Sequence, residues 1–183
     1  MRFLSADGTT AVSIDNGAAA DILEHCRKAG RAETGGILIG RYSELGDRAV
    51  VIEASGPPRD SRRFAFAFWR GIVGLRTLLA DRWRKTGHHY LGEWHFHPFS
   101  SAEPSERDLT QMAAFAADAD YRCPRPVLIV IGGDPANEYG AEAVVLQDGR
   151  VIRLERQAPH DPALRSHSAA AEAGPEGHPS DGP

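Results

Sequence analysis

The run Pro126-Val-Leu-Ile-Val-Ile131, followed by Gly132-Gly133, constrains this chain more than any other segment. Five consecutive large apolar residues, four of them β-branched, cannot alternate between core and water. They read as a central strand buried on both faces, with the glycines as its end. Such a strand needs covering layers, and the rest of the chain supplies candidates. Ala11–Ile14 alternates as a short strand. Asp15 or Asn16 can cap a helix over 17–29, with Ile22, Leu23 and Cys26 on one face and Gly30 at its end. Ile37-Leu38-Ile39 and Val50–Ala54 read as strands joined through a turn at Gly46-Asp47, and 56–63 is turn and loop chemistry.

Phe64, Phe66 and Phe68 alternate, which is a strand signal. From about Phe68 to Lys85 the spacing becomes helical through Ile72, Leu75, Leu79 and Trp83. Gly71 and Gly74 weaken the start and Gly87 closes the end. His89–His97 is a strand stopped by Pro98. Ser105 can cap a helix running to about Ala117, with Leu109, Met112 and Phe115 apolar. Residues 143–146 and 151–154 flank Asp148-Gly149 as a hairpin. This irregular alternation of strands and helices fits α/β and α+β architectures alike.

The length of 183 residues predicts one domain, 1–156, and a tail, 157–183. The tail is rich in Pro, Ala, Ser and His, and Leu164 is its one large apolar residue. It cannot bury enough surface to offset its ordering entropy and is expected to be disordered. Net charge is −4, of which −3 lies in 157–183. The body is therefore near neutral, with no electrostatic case for binding nucleic acid or a membrane. Cys26 and Cys123 lie far apart and read as buried thiols of a reduced, cytoplasmic setting rather than a disulfide framework. The first residues carry no signal-peptide pattern, and no apolar run is long enough to span a bilayer.

The chemistry concentrates at His95, His97 and Asp108. Two histidines two apart on a strand share one face. Ten residues later, with Ser105 as cap, Asp108 falls in the first turn of the next helix. Two imidazoles and a carboxylate make a three-donor site with one tetrahedral position open, which is the pattern of catalytic zinc. Each residue also has a plainer reading: a strand-face histidine pair, an acid at a helix N-terminus, and a serine that only caps. Glu93 shares the histidine face by alternation, as a rival base, a group behind the ligands or a surface acid. Arg59, Arg62, Arg63 and Arg70 could meet an acidic partner but read as a solvated charged face. Cys123 has no histidine at a spacing that would make it a nucleophile.

The string Glu33-Thr-Gly-Gly-Ile-Leu-Ile-Gly40, then His95-Phe-His97-Pro98, then Ser105-Glu-Arg-Asp108 resembles the JAB1/MPN/Mov34 (JAMM) metallopeptidase family over about residues 15–155. The resemblance implies an α/β, cytidine-deaminase-like fold: a mixed curved β-sheet with helices packed around it. It implies one catalytic Zn2+ on His95, His97 and Asp108, Glu33 as general acid–base, and Ser105 as oxyanion donor. Tyr90-Leu-Gly-Glu-Trp-His and Arg125-Pro-Val-Leu-Ile-Val are similar to bacterial stand-alone members. Those members are similar in turn to deconjugating peptidases of anti-phage operons that carry ubiquitin-activating and ubiquitin-conjugating homologues. The implied activity is zinc-dependent cleavage after the C-terminus of a ubiquitin-like modifier, with the modifier tail lying as an added strand near residues 56–68. Two alternatives share the resemblance: a peptidase acting on a sulfur-carrier protein adduct, and a non-catalytic binding module.

Overall fold

The structure is a computed structural model, and it describes residues 1–158. The strands are β1 (Arg2–Ser5), β2 (Ala11–Ile14), β3 (Thr34–Tyr42), β4 (Arg48–Ala54), β5 (Arg62–Phe64), β6 (Ala67–Trp69), β7 (His89–Pro98), β8 (Val127–Asp134), β9 (Glu138–Gln147) and β10 (Arg150–Arg156). The helices are α1 (Asn16–Ala29), α2 (Leu75–Thr86) and α3 (Glu106–Ala117). The tail expected to be disordered falls on residues 159–183, apart from its first two, and so lies outside the described residues.

Eight strands form one sheet in the order β1-β10-β9-β8-β7-β3-β4-β2, and β2 returns to β1 to close it. Two of its pairings, β2–β4 and β7–β8, are parallel; the others are antiparallel. The expected mixed curved sheet is thus curled into a barrel. β8 lies between β7 and β9, as its unbroken apolar run requires. Val127, Ile129 and Ile131 enter the main core with Phe3, Ile22, Trp94 and Phe96. Leu128 and Val130 face the opposite way, onto Met112, Leu109 and Phe115 of α3. The strand runs on through Gly132-Gly133, which pair with Gly140 and Tyr139, so the glycines do not end it.

Asp15 caps α1 by accepting from the Gly17 amide at 2.8 Å, and Ala18, Ala19, Ile22 and Cys26 pack into the main core. Both cysteines are free and buried. Among the described residues no helix is long and apolar enough to cross a membrane.

Three sequence expectations are corrected. Phe64, Phe66 and Phe68 do not lie on one strand: β5 and β6 form a hairpin, and Phe66 sits in the turn, 91% exposed. The second helix begins at Leu75 rather than near Phe68. Gly74 takes a left-handed conformation (φ 86°), and the Asp60 carboxylate accepts the amides of Ile72 and Val73 at 3.0 and 3.1 Å, holding that stretch out of helix. Ile72 and Trp83, expected on the apolar face, are exposed, and α2 is anchored through Leu75, Leu78 and Leu79. β1, which sequence reading missed, closes the barrel between β2 and β10.

Candidate active site

The face of β7 turned away from the main core carries Glu93, His95 and His97, as period two demands, while Trp94 and Phe96 point inward. α3 then brings Asp108 against the two rings. Asp108 Oδ1 lies 2.7 Å from His95 Nδ1, and Oδ2 lies 3.4 Å from His97 Nε2. The three groups can each offer one donor atom with all three atoms within 4.8 Å of one another. That convergence fits a single divalent ion with ligand bonds of about 2.0–2.2 Å. His95, His97 and Asp108 are therefore the residues that could hold a metal ion.

Ser105 and Asp108 form a capping box. Ser105 Oγ accepts from the Asp108 amide at 3.2 Å, and the Asp108 carboxylate accepts from the Ser105 amide at 2.8 Å. The Ser105 hydroxyl donates to Asp108 Oδ2 at 2.6 Å. The plainer reading of Ser105 as a helix cap holds, and it also aims the carboxylate at the histidines.

Glu33, just before β3, is half-buried and lines an open cleft of about 800 Å3 together with His97, Ser105 and Asp108. Its amide donates to the Phe64 carbonyl at 2.8 Å, tying the β5–β6 hairpin to the cleft rim. Burial raises its carboxyl pKa and the Asp108 charge adds to the rise, while His97 and His95 oppose it. A raised carboxyl pKa suits a group that must both take and return a proton. The Thr-Gly-Gly that follows has a steric reason. A Cβ on Gly35 would lie 2.4 Å from the Trp94 carbonyl oxygen and 3.0 Å from His95 Cδ2, and one on Gly36 would lie 2.1 Å from the Ser55 carbonyl oxygen. Only bare backbone lets β3 run this close to the ligand strand.

Burial disfavours charge on His95, yet Asp108 and Glu93 on either side outweigh it and push its pKa up to about 9. Burial opposes the Asp108 charge too, but His95, His97 and Ser105 hold its carboxyl well below the usual range. In the absence of metal the cluster therefore binds a proton tightly, and a metal must displace it.

Glu93 is not a rival base. Its side chain is 0% exposed, and it is ion-paired to Arg70 at 2.5 Å, beneath the cleft rather than in it. Arg70 in turn overturns the expectation of a solvated arginine face: its side chain is 3% exposed, whereas Arg59, Arg62 and Arg63 are exposed as expected. Sequence reading missed Arg70, Tyr90 and Tyr121 as members of this layer. The one available signal was the shared face of Glu93 and the histidines.

The chain is 46% identical over 84% of its length, and 86% of the relative's, to a CD-NTase/cGAS isopeptidase of Enterobacter hormaechei. It is 33% identical to a CD-NTase/cGAS isopeptidase of Pseudomonas aeruginosa over 55% of this chain and 63% of that one. It is 30% identical to a probable metalloprotease of Sinorhizobium fredii over 57% of this chain and 65% of that one. A solution structure of a Desulfitobacterium hafniense protein shares the fold, with TM-score 0.55 and 22% identity over 78% of this chain and 88% of that chain. Residues 15–148, which contain Glu33, both histidines, Ser105 and Asp108, match a family profile of their own, and the chain belongs to the prokaryotic homologs of the JAB domain.

Proposed function

We propose that this chain is a zinc-dependent isopeptidase that hydrolyses the bond after the C-terminus of a ubiquitin-like modifier. The substrate class is a modifier joined to a CD-NTase, the protein for which two relatives are named, and the setting, bacterial anti-phage defence, is the one that the sequence resemblance implies. The observation that carries the reading is the meeting of His95, His97 and Asp108, the last two lining a cleft that Glu33 and Ser105 also line.

A zinc ion held by His95, His97 and Asp108 would supply Lewis acidity and lower the pKa of water toward neutrality. Glu33 takes the proton of the attacking water and returns it to the leaving amine. Ser105, an exposed residue at the head of α3 that lines the cleft, donates its hydroxyl to the oxyanion of the tetrahedral intermediate. Among the described residues the barrel has no open edge, and the β5–β6 hairpin is the one sheet with free edges. An extended modifier tail adds to that hairpin as a strand, beside Glu33, with Phe66 and Phe68 lining the approach.

The test is cleavage of a modifier–reporter fusion by the full chain. Chelation should abolish turnover, zinc should restore it, and Glu33→Gln should lower kcat by about 10²–10⁴-fold. Turnover that survives both chelation and Glu33→Gln would overturn the mechanism.

A further inference from the structure

We infer that Arg70 and Glu93 are positioning residues whose buried ion pair fixes the ring orientation and tautomer of His95. The inference rests on the metal reading above and concerns what stands behind the ligands.

Both charges are out of water, Glu93 completely. A pair so buried is a poor source of stability, because well-packed apolar residues of the same volume serve as well or better. Its contacts give it a different task. Arg70 uses all three nitrogens: Nε donates to Glu93 Oε1 at 2.5 Å, Nη1 to the Gly71 carbonyl at 3.0 Å, and Nη2 to the Tyr121 hydroxyl at 2.9 Å. Its guanidinium lies over the Phe115 ring at 5.2 Å. Glu93 Oε1 also accepts from the Tyr90 hydroxyl at 3.4 Å. One carboxylate oxygen is thereby committed, and the other, Oε2, is left 3.4 Å from His95 Nε2.

The two ring nitrogens of His95 thus face opposite carboxylates: Nδ1 toward the ligand Asp108, Nε2 toward the anchored Glu93. An imidazole carries one proton when neutral, and a carboxylate can only accept it. Proton on Nε2, donated to Glu93, leaves the Nδ1 lone pair aimed at the metal side and makes the ring a stronger donor. Phe68, edge-on at 5.7 Å, restrains the same ring. A β-bulge completes the arrangement. Between Leu38 and Ile39 the β3–β7 register skips Leu91, with Gly92 at φ 142°, so Tyr90 and Glu93 share a face that strict alternation would deny them.

The experiment compares the full chain as wild type, Glu93→Gln, and the double variant R70M/E93L. Zinc affinity is read by competition with a chromophoric chelator, the His95 tautomer by long-range 1H–15N NMR of the zinc form, and integrity by thermal unfolding of the metal-free protein. Glu93→Gln should weaken zinc binding about 10- to 100-fold. R70M/E93L, which leaves neither member of the pair unpartnered, should still unfold cooperatively without metal yet bind zinc as weakly, and lose the Nε2–H signature. A merely structural pair would let zinc affinity recover with stability. Variants that bind zinc as tightly as wild type, or a wild-type zinc form with its His95 proton on Nδ1, overturn the inference alone. A wild-type chain that binds no zinc overturns the metal reading with it. The near-isosteric Glu93→Gln carries the test if the double variant does not fold.

Discussion

Ser105 serves two masters with one hydroxyl, and substitution can separate them. The hydroxyl oxygen caps α3 by accepting the Asp108 amide, while its single hydrogen goes to Asp108 Oδ2. As oxyanion donor it must give up that second bond during the reaction. The Ser105 amide, 2.8 Å from the same oxygen, stays behind to hold the carboxylate. Loss of the cap in Ser105→Ala should cost about 1 kcal/mol, which lowers the melting temperature of a chain this size by about 2–4 °C. Glycine is a tolerable cap, so Ser105→Gly should lose only a few tenths of a kcal/mol, about 1 °C. Removing an oxyanion donor costs about 10²–10³-fold in kcat. Ser105→Gly is therefore the informative variant: near-native melting, with kcat down by two to three orders of magnitude at saturating zinc and substrate. Ser105→Thr, which keeps the hydroxyl, should retain most of both. The assay pairs calorimetry with steady-state cleavage, separating kcat from KM. A Ser105→Gly enzyme with kcat within about threefold of wild type would leave Ser105 as a cap and nothing more.

Other residues give equally direct expectations. Burial raises the Glu33 pKa, so its charge opposes folding as pH rises above the ordinary carboxylate range. Glu33→Gln should accordingly raise the melting temperature of the metal-free protein at pH 7–8 and give no gain near pH 4; equal gain at both would contradict the cause. The raised pKa of His95 makes the opposite statement. Its charged pairing with Asp108 and Glu93 stabilises the metal-free fold fully below the unfolded value of 6.5, and that contribution is lost as pH rises through about 9. Zinc binding at pH 7 should then release about one proton, read by calorimetry in buffers of different ionisation enthalpy; no buffer dependence would refute it. Gly35→Ala should destabilise by about 1–3 kcal/mol, because its methyl group meets Trp94 backbone, Phe68 and His95, and unchanged melting would show that β3 can move aside.

Much of this was legible in the sequence wherever a physical signal is short-ranged. The β8 run could only be buried on both faces; the β7 alternation could only put His95 and His97 together; Ser105 could be read as a cap because capping acts over three residues. Long-range pairings left no such trace. β1 shows only a weak alternation, with Phe3 and Ser5 buried, and its place depends on β10, some 150 residues away along the chain. Arg70 looked solvated because it is charged, and nothing near it announces Glu93 or Tyr121. Three alternating phenylalanines mimic a strand, while the turn that splits them, at Ala65-Phe66, carries no Gly, Asn, Asp or Pro to announce it.

The most instructive case is β7 itself. Counting back from His97 by twos reaches His95 and Glu93 correctly, then predicts Leu91 on the same face. The bulge defeats the count: Leu91 turns into the main core, and Tyr90 takes the place beside Glu93. A Cβ at Gly92 would lie 1.9 Å from the Val127 carbonyl oxygen, so the slip requires that glycine and the close approach of β8. Ligands follow from the period of the strand; what holds them follows from the one position where the period breaks. Gly92→Ala should therefore weaken zinc binding as well as stability, since the clash lies in the ladder that orients Glu93 toward His95.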